Sequence, residues 1–145
     1  MNTPYQIPAA DLAYLGDAVY EIAVRTHLVR CGVKTPSVAS LAYVKATAQS
    51  AAMEKILPYL QEAEADVYRR GRNCIHNTTP KSCTPSEYRR ATGLEALLGY
   101  LWLMGGTDRI HTLLRIGIGI DAAPVDEKQE QPEPPSETGN ERREE

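Results

Sequence analysis

Two carboxylates stand out because each interrupts an otherwise apolar helical run. Asp17 sits in Tyr14-Leu15-Gly16-Asp17-Ala18-Val19, and Glu95 sits in Thr92-Gly93-Leu94-Glu95-Ala96-Leu97-Leu98-Gly99. Asp is a poor helix former, and a carboxylate is costly to bury without a partner. A glycine accompanies each acid, Gly16 and Gly99, and would let a second helix approach closely. Two such carboxylates on packed helices could share one magnesium ion. That ion takes one or two carboxylates and keeps several waters, which leaves room for a phosphate oxygen. The plain alternative is an Asp and a Glu that never meet. Thr92 lies one turn before Glu95. Its hydroxyl either hydrogen-bonds to water held at such an ion or bonds back to its own helix.

A second feature is a run of positive charge. Residues 69–90 carry Arg69, Arg70, Arg72, Lys81, Arg89 and Arg90 against Glu87 alone, a net of +5. Asn73, Asn77 and Thr78 add neutral donors, and Tyr88 lies beside them. Such a patch can neutralise RNA phosphates; it can also be an ordinary solvated face. Arg89 and Arg90 fall in the first turns of a helix, where the macrodipole disfavours cations, and an anionic ligand would supply a reason. The candidate RNA contacts are therefore Arg70, Arg72, Asn73, Lys81, Arg89 and Arg90. Glu21 is expected to pair with Arg25 one turn on. His27, His76 and His111 show no catalytic pairing, and Tyr14, Tyr20 and Trp102 are expected to pack.

Helices must position these groups. The spacing of Leu12, Leu15, Val19 and Ile22 predicts a first helix over 9–31, stopped by Gly32. Thr35-Pro36 opens a second, with Thr35 as cap, carrying Val38, Leu41, Val44 and Ala48 on one face and ending before Pro58. A third is predicted over 61–70, and 71–83 as a loop. Thr84-Pro85-Ser86-Glu87 is a capping box that starts a fourth helix, which runs to about Met104 and stops at Gly105-Gly106. Its core stripe is Leu94, Leu97, Leu98 and Leu101. A fifth over 107–116 carries Ile110, Leu113 and Leu114. No strand-like alternation is found.

The chain has 145 residues, 42% of them hydrophobic, and lacks Phe, so a single domain with a modest core is expected. The formal net charge of −3 hides an asymmetry. Residues 122–145 carry −5 and are rich in Pro and Glu, and this tail is expected to be disordered. Residues 1–121 carry +2 and form the expected domain. Three cysteines, at 31, 74 and 83, have no metal-ligand spacing and read as free thiols. With no signal-peptide pattern and no apolar run long enough to span a membrane, the cytoplasm is the expected location.

The segment Leu12-Ala13-Tyr14-Leu15-Gly16-Asp17-Ala18-Val19-Tyr20-Glu21 resembles the signature helix of the ribonuclease III family, most of all its small bacterial and plastid branch, Mini-ribonuclease III. Arg70-Gly71-Arg72-Asn73, Pro80-Lys81, Tyr88-Arg89 and Ala91 through Leu101 are similar to that branch in the same order, so the likeness covers about residues 9–116. It implies an all-α endonuclease domain that forms a two-fold dimer. It implies Asp17 and Glu95 as catalytic magnesium ligands, and cleavage of double-stranded RNA that leaves 5′-phosphate and 3′-hydroxyl ends. For this branch it also implies maturation of the large-subunit (23S) ribosomal RNA precursor. Larger family members carry two more acids, where this chain has Ala13 and Thr92. No double-stranded-RNA-binding domain follows within these residues, so the catalytic dimer itself is expected to hold the RNA. Two rival readings are a catalytically inactive ribonuclease III fold acting as an RNA-binding or ribosome-associated protein, and a helical protein-interaction module with no RNA partner.

Overall fold

The computed structural model describes residues 1–74 and 78–123, and among these every regular element is helical, as predicted. A 3-10 turn, Pro4–Gln6, leads into α1 (Ala9–Arg30). Then come α2 (Pro36–Ala39), α3 (Leu41–Val44) and α4 (Ala46–Ile56). After a 3-10 turn at Leu57–Tyr59, α5 (Glu62–Arg72), α6 (Pro85–Leu103) and α7 (Thr107–Ile118) complete the bundle. No helix among the described residues is long and apolar enough to cross a membrane.

The centre of the bundle is α6, which packs against α1, α4, α5 and α7. Its predicted stripe of Leu94, Leu97, Leu98 and Leu101 is buried, and so are Ile110, Leu113 and Leu114 of α7. The predicted capping box is present. Glu87 N–H donates to Thr84 Oγ1 at 3.1 Å, and Thr84 N–H donates to Glu87 Oε1 at 3.0 Å. These bonds satisfy amides that a helix start leaves without partners.

The second predicted helix is instead three pieces. Lys45 has extended backbone, φ −63° and ψ 143°, between α3 and α4. The Tyr43 carbonyl accepts from the buried Tyr20 hydroxyl at 2.6 Å, a tertiary bond that ties α3 to α1. The predicted face fails with it: Val38 and Leu41 are exposed, while Ala52, Met53 and Ile56 of α4 are buried. Thr35 precedes α2 but makes no side-chain cap. The third helix runs two residues beyond Arg70, because Gly71 is buried inside it against α6.

On α1, Leu12 and Val19 are buried but Ile22 is 58% exposed, so the expected stripe covers only part of the buried face. Tyr20 packs as predicted, whereas Tyr14 is 85% exposed and Trp102 about half exposed. The predicted Glu21–Arg25 pair is present at 3.4 Å. All three cysteines are free. At the far end, Ala122 is buried and Arg30 donates to the Ala123 carbonyl at 2.5 Å. Both residues, assigned to the tail by composition, thus pack against the helices. The rest of that tail, and His76 and Asn77, lie outside the described residues.

Candidate active site

The site begins with a backbone contact. A Cβ on Gly16 would lie 1.6 Å from the Glu95 carbonyl oxygen, and one on Gly99 would lie 2.0 Å from the Leu12 carbonyl oxygen. Only glycine lets the two helices come this close. Leu12 meets Gly99 and Gly16 meets Glu95, so α1 and α6 run antiparallel across the contact. Asp17 follows Gly16 immediately, and the predicted pair of acids is brought to one place.

Their electrostatics bear this out. Burial above all, and next the Asp17 charge, raise the Glu95 carboxyl to about 8, while the Gln49 side chain acts in the opposite direction. Asp17 is more exposed; partial burial raises its carboxyl above the ordinary range, and the Glu21 charge adds to that. A half-buried carboxyl raised by its neighbour Asp17 forms with it a site that a cation would relieve. Among the described residues no cluster of three or more His, Cys, Asp or Glu gathers anywhere. The donor set at this point is a carboxylate pair.

Thr92 is buried, and its hydroxyl donates to the Tyr88 carbonyl at 3.0 Å, back along its own helix. Ala13 is buried too. Neither position supplies a further carboxylate.

The basic candidates fall into two groups. Arg72, Asn73 and Arg89 line an open cavity of about 270 Å³ with Thr79 and Tyr88, beside the start of α6. Arg72 also lies over the Tyr68 ring at 5.7 Å. Lys81 is exposed on the same loop. Arg70 and Arg90 are committed elsewhere. Arg70 donates to the Tyr5 and Ile7 carbonyls at 3.0 and 2.9 Å. Arg90 donates to Glu54 at 2.5 Å and to Ser50 at 2.9 Å, which pins α6 to α4. Sequence reasoning missed Gln49, whose only local signal is a polar residue at a buried position of α4.

A helical bundle with paired acids at a glycine-mediated crossing has close counterparts. Residues 10–106 match the family model described as Ribonuclease III domain. The Mini-ribonuclease 3 of Symbiobacterium thermophilum is 46% identical over 118 residues, which cover 79% of this chain and 91% of that protein. The Mini-ribonuclease 3 of Thermosynechococcus vestitus is 37% identical over 137 residues, covering 92% and 88%. A crystal structure of a Fusobacterium nucleatum protein superposes with a TM-score of 0.71 at 33% identity, covering 79% of this chain and 93% of that one. The chain therefore belongs to the ribonuclease III family, on its Mini-ribonuclease 3 branch, and is an endoribonuclease.

Proposed function

We propose that this endoribonuclease cleaves double-stranded RNA as a magnesium-dependent homodimer, with Asp17 and Glu95 holding the ion. The observation that carries this reading is the carboxylate pair at the Gly16–Gly99 crossing. Its donor set fits magnesium, which binds through one or two carboxylates. Bound there, the ion would polarise the scissile phosphate and lower the pKa of the attacking water. The Thr92 hydroxyl gives its proton to Tyr88 and keeps a lone pair to accept from water in the site. Arg72, Asn73, Lys81 and Arg89 neutralise and position the duplex backbone without reading sequence. Arg70 and Arg90, tied to neighbouring elements, hold that surface in shape.

The dimer forms through α1, whose exposed Tyr14, Ile22 and Val29 leave apolar area that a second copy would cover. A two-fold axis then presents one site to each strand, which gives a staggered double cut. Products carry 5′-phosphate and 3′-hydroxyl ends. The likeness to the Mini-ribonuclease 3 branch supports the 23S ribosomal RNA precursor, in the cytoplasm, as the substrate.

The test is cleavage of a duplex RNA across a magnesium titration. Asp17→Asn and Glu95→Gln are each expected to lower the rate by roughly a thousandfold or more, the scale of a lost charge-stabilising group, while circular dichroism stays unchanged. Near-normal magnesium-dependent cleavage by either variant would remove the assignment.

A further inference from the structure

Of the nine arginines among the described residues, seven have an acid or a backbone carbonyl for a partner. Arg72 and Arg89 have neither among the described residues, and both line the cavity of about 270 Å³ between the end of α5 and the start of α6. Arg72 is held over the Tyr68 ring at 5.7 Å, and its Nε donates to Asn73 Oδ1 at 3.5 Å. Arg89 makes no hydrogen bond or ion pair among the described residues, although its neighbour Arg90 is neutralised by Glu54 at 2.5 Å. No acidic side chain lines the cavity. Two like charges on one concave space repel, and an anion between them would relieve both. Guanidinium forks match phosphate oxygens in geometry as well as charge.

The cavity is also locked to the acid pair. Gly71 precedes Arg72, and a Cβ there would lie 2.6 Å from the Cβ of Ala96, the residue after Glu95. A Cβ on Gly93 would lie 2.6 Å from the Tyr68 ring that carries Arg72. The backbone bearing Arg72 therefore cannot shift without moving the backbone bearing Glu95. On α6, Tyr88 at the cavity wall precedes Glu95 by two turns of one helical face, about 10 Å along the axis. A duplex advances roughly 3 Å per nucleotide of each strand, which places the cavity about three nucleotides from a phosphate at the acids.

We infer that this cavity seats a single backbone phosphate of the bound RNA, clamped between Arg72 and Arg89, and that the clamp sets the register of cleavage. The role rests on the double-stranded RNA reading proposed above and narrows it. A cavity at the small end of ligand pockets takes one phosphate with its sugar and no longer stretch of strand. Lys81 is exposed on the loop and does not line the cavity, so it attracts the backbone without placing it. Arg72 and Arg89 place it, because a phosphate contact held by rigid elements fixes where the strand lies.

The experiment uses the full chain and duplex RNAs that each carry one neutral methylphosphonate, moved a position at a time along both strands around the scissile bonds. Affinity is read by fluorescence anisotropy in chelator, so that neither cleavage nor a metal enters. In wild type, one position relative to each scissile bond is expected to raise Kd roughly tenfold, the scale of a lost hydrogen bond to a charged group, and the others about twofold or less. Arg72→Met and Arg89→Met should weaken binding of the unmodified duplex and become indifferent to that position. Lys81→Ala should weaken binding and keep the wild-type pattern. With magnesium added, end-labelled RNA should be cut at fixed bonds by wild type and at neighbouring bonds as well by the two Met variants. A flat scan in wild type overturns the seat without depending on any variant's folding. An unchanged penalty at the same position in both Met variants, folded by circular dichroism, overturns it too. Cuts confined to the wild-type bonds in both variants overturn the role in register. Failure of wild type to bind any duplex is a different result: it removes the double-stranded RNA reading, and the clamp falls with it.

Discussion

Two carboxylates drawn back from solvent, the buried Glu64 and the half-buried Glu95, follow opposite rules. Burial pushes both up. At Glu64 the Arg109 guanidinium, with Nε and Nη2 each at 2.9 Å, and the Gln61 N–H, at 2.8 Å, together outweigh it, so the carboxyl ends below its ordinary value. At Glu95 no cationic side chain does the same, and the carboxyl stays at about 8. Glu64 is a structural anchor, because Arg109 also donates to the Tyr59 carbonyl at 2.7 Å and so joins α7 to α5. A lowered carboxyl contributes stability that is present above the unfolded pKa and lost as pH falls through the folded one. Arg109→Met strands the buried carboxylate, a loss of about 3 kcal/mol, which lowers the melting temperature by roughly 10 °C or more at pH 7. The stranded Glu64 then prefers its proton, so the gap to wild type should narrow as pH is lowered toward 5. An equal gap at both pH values would mean that Arg109 acts by packing alone. Asp17 and Glu95 could be singled out in the sequence because each interrupts an apolar run, but that pattern alone fits a solvated acid equally, and their pairing was implied by the family resemblance. Glu64 and Arg109 could not be singled out, since they lie 45 positions apart and each looks like an ordinary surface charge in its own helix.

Among the helices, glycine decides what meets what. The small residues beside the two acids were readable, and the structure gives them their role as the α1–α6 crossing. Gly105 is a different case: φ is +72°, and a Cβ there would meet nothing within 4 Å. The two positions make a paired test. Gly99→Ala must push α1 off α6, and overpacking of this kind costs about 1–3 kcal/mol or more. The shift also moves Asp17 relative to Glu95, so cleavage should fall well beyond the stability loss. Gly105→Ala pays only backbone strain of about 1 kcal/mol and should cleave RNA at near wild-type rate once folded. Melting curves and cleavage rates for both variants check this, and equal rates would detach the crossing from the active site. The α2–α3–α4 segment shows where the pattern misleads. Periodicity predicted one helix through Val38, Leu41 and Val44, but periodicity does not register that the Tyr20 hydroxyl captures the Tyr43 carbonyl. The chain turns where that tertiary bond and the extended Lys45 require it.

For the molecule as a whole, the first helix carries more apolar residues than one copy can bury. The sequence stripe Leu12, Leu15, Val19 and Ile22 treats them as a single face, yet the structure buries Leu12 and Val19 and leaves Ile22 at 58% and Val29 at 66% exposed. Beside them an apolar groove of about 420 Å³ opens between α1 and the α2–α3 segment, lined by Val24, Val29, Leu41 and Val44. Helical periodicity records every apolar position and does not say which ones face the chain's own core and which face another copy. In the proposed dimer the exposed set lies at the two-fold axis, and the same contact would bring the two Asp17–Glu95 sites to opposite strands. Ile22→Asp puts a charge into that contact without touching the buried core. Sedimentation at micromolar concentration is expected to give a dimer for wild type and a monomer for Ile22→Asp, each folded by circular dichroism. The monomer has one site, so on a duplex labelled at both strands it should nick, or lose activity by about tenfold or more as its grip on the backbone halves. Paired, staggered cuts at the wild-type rate from a monomer would show that one copy suffices, and the exposed face of α1 would then need another partner.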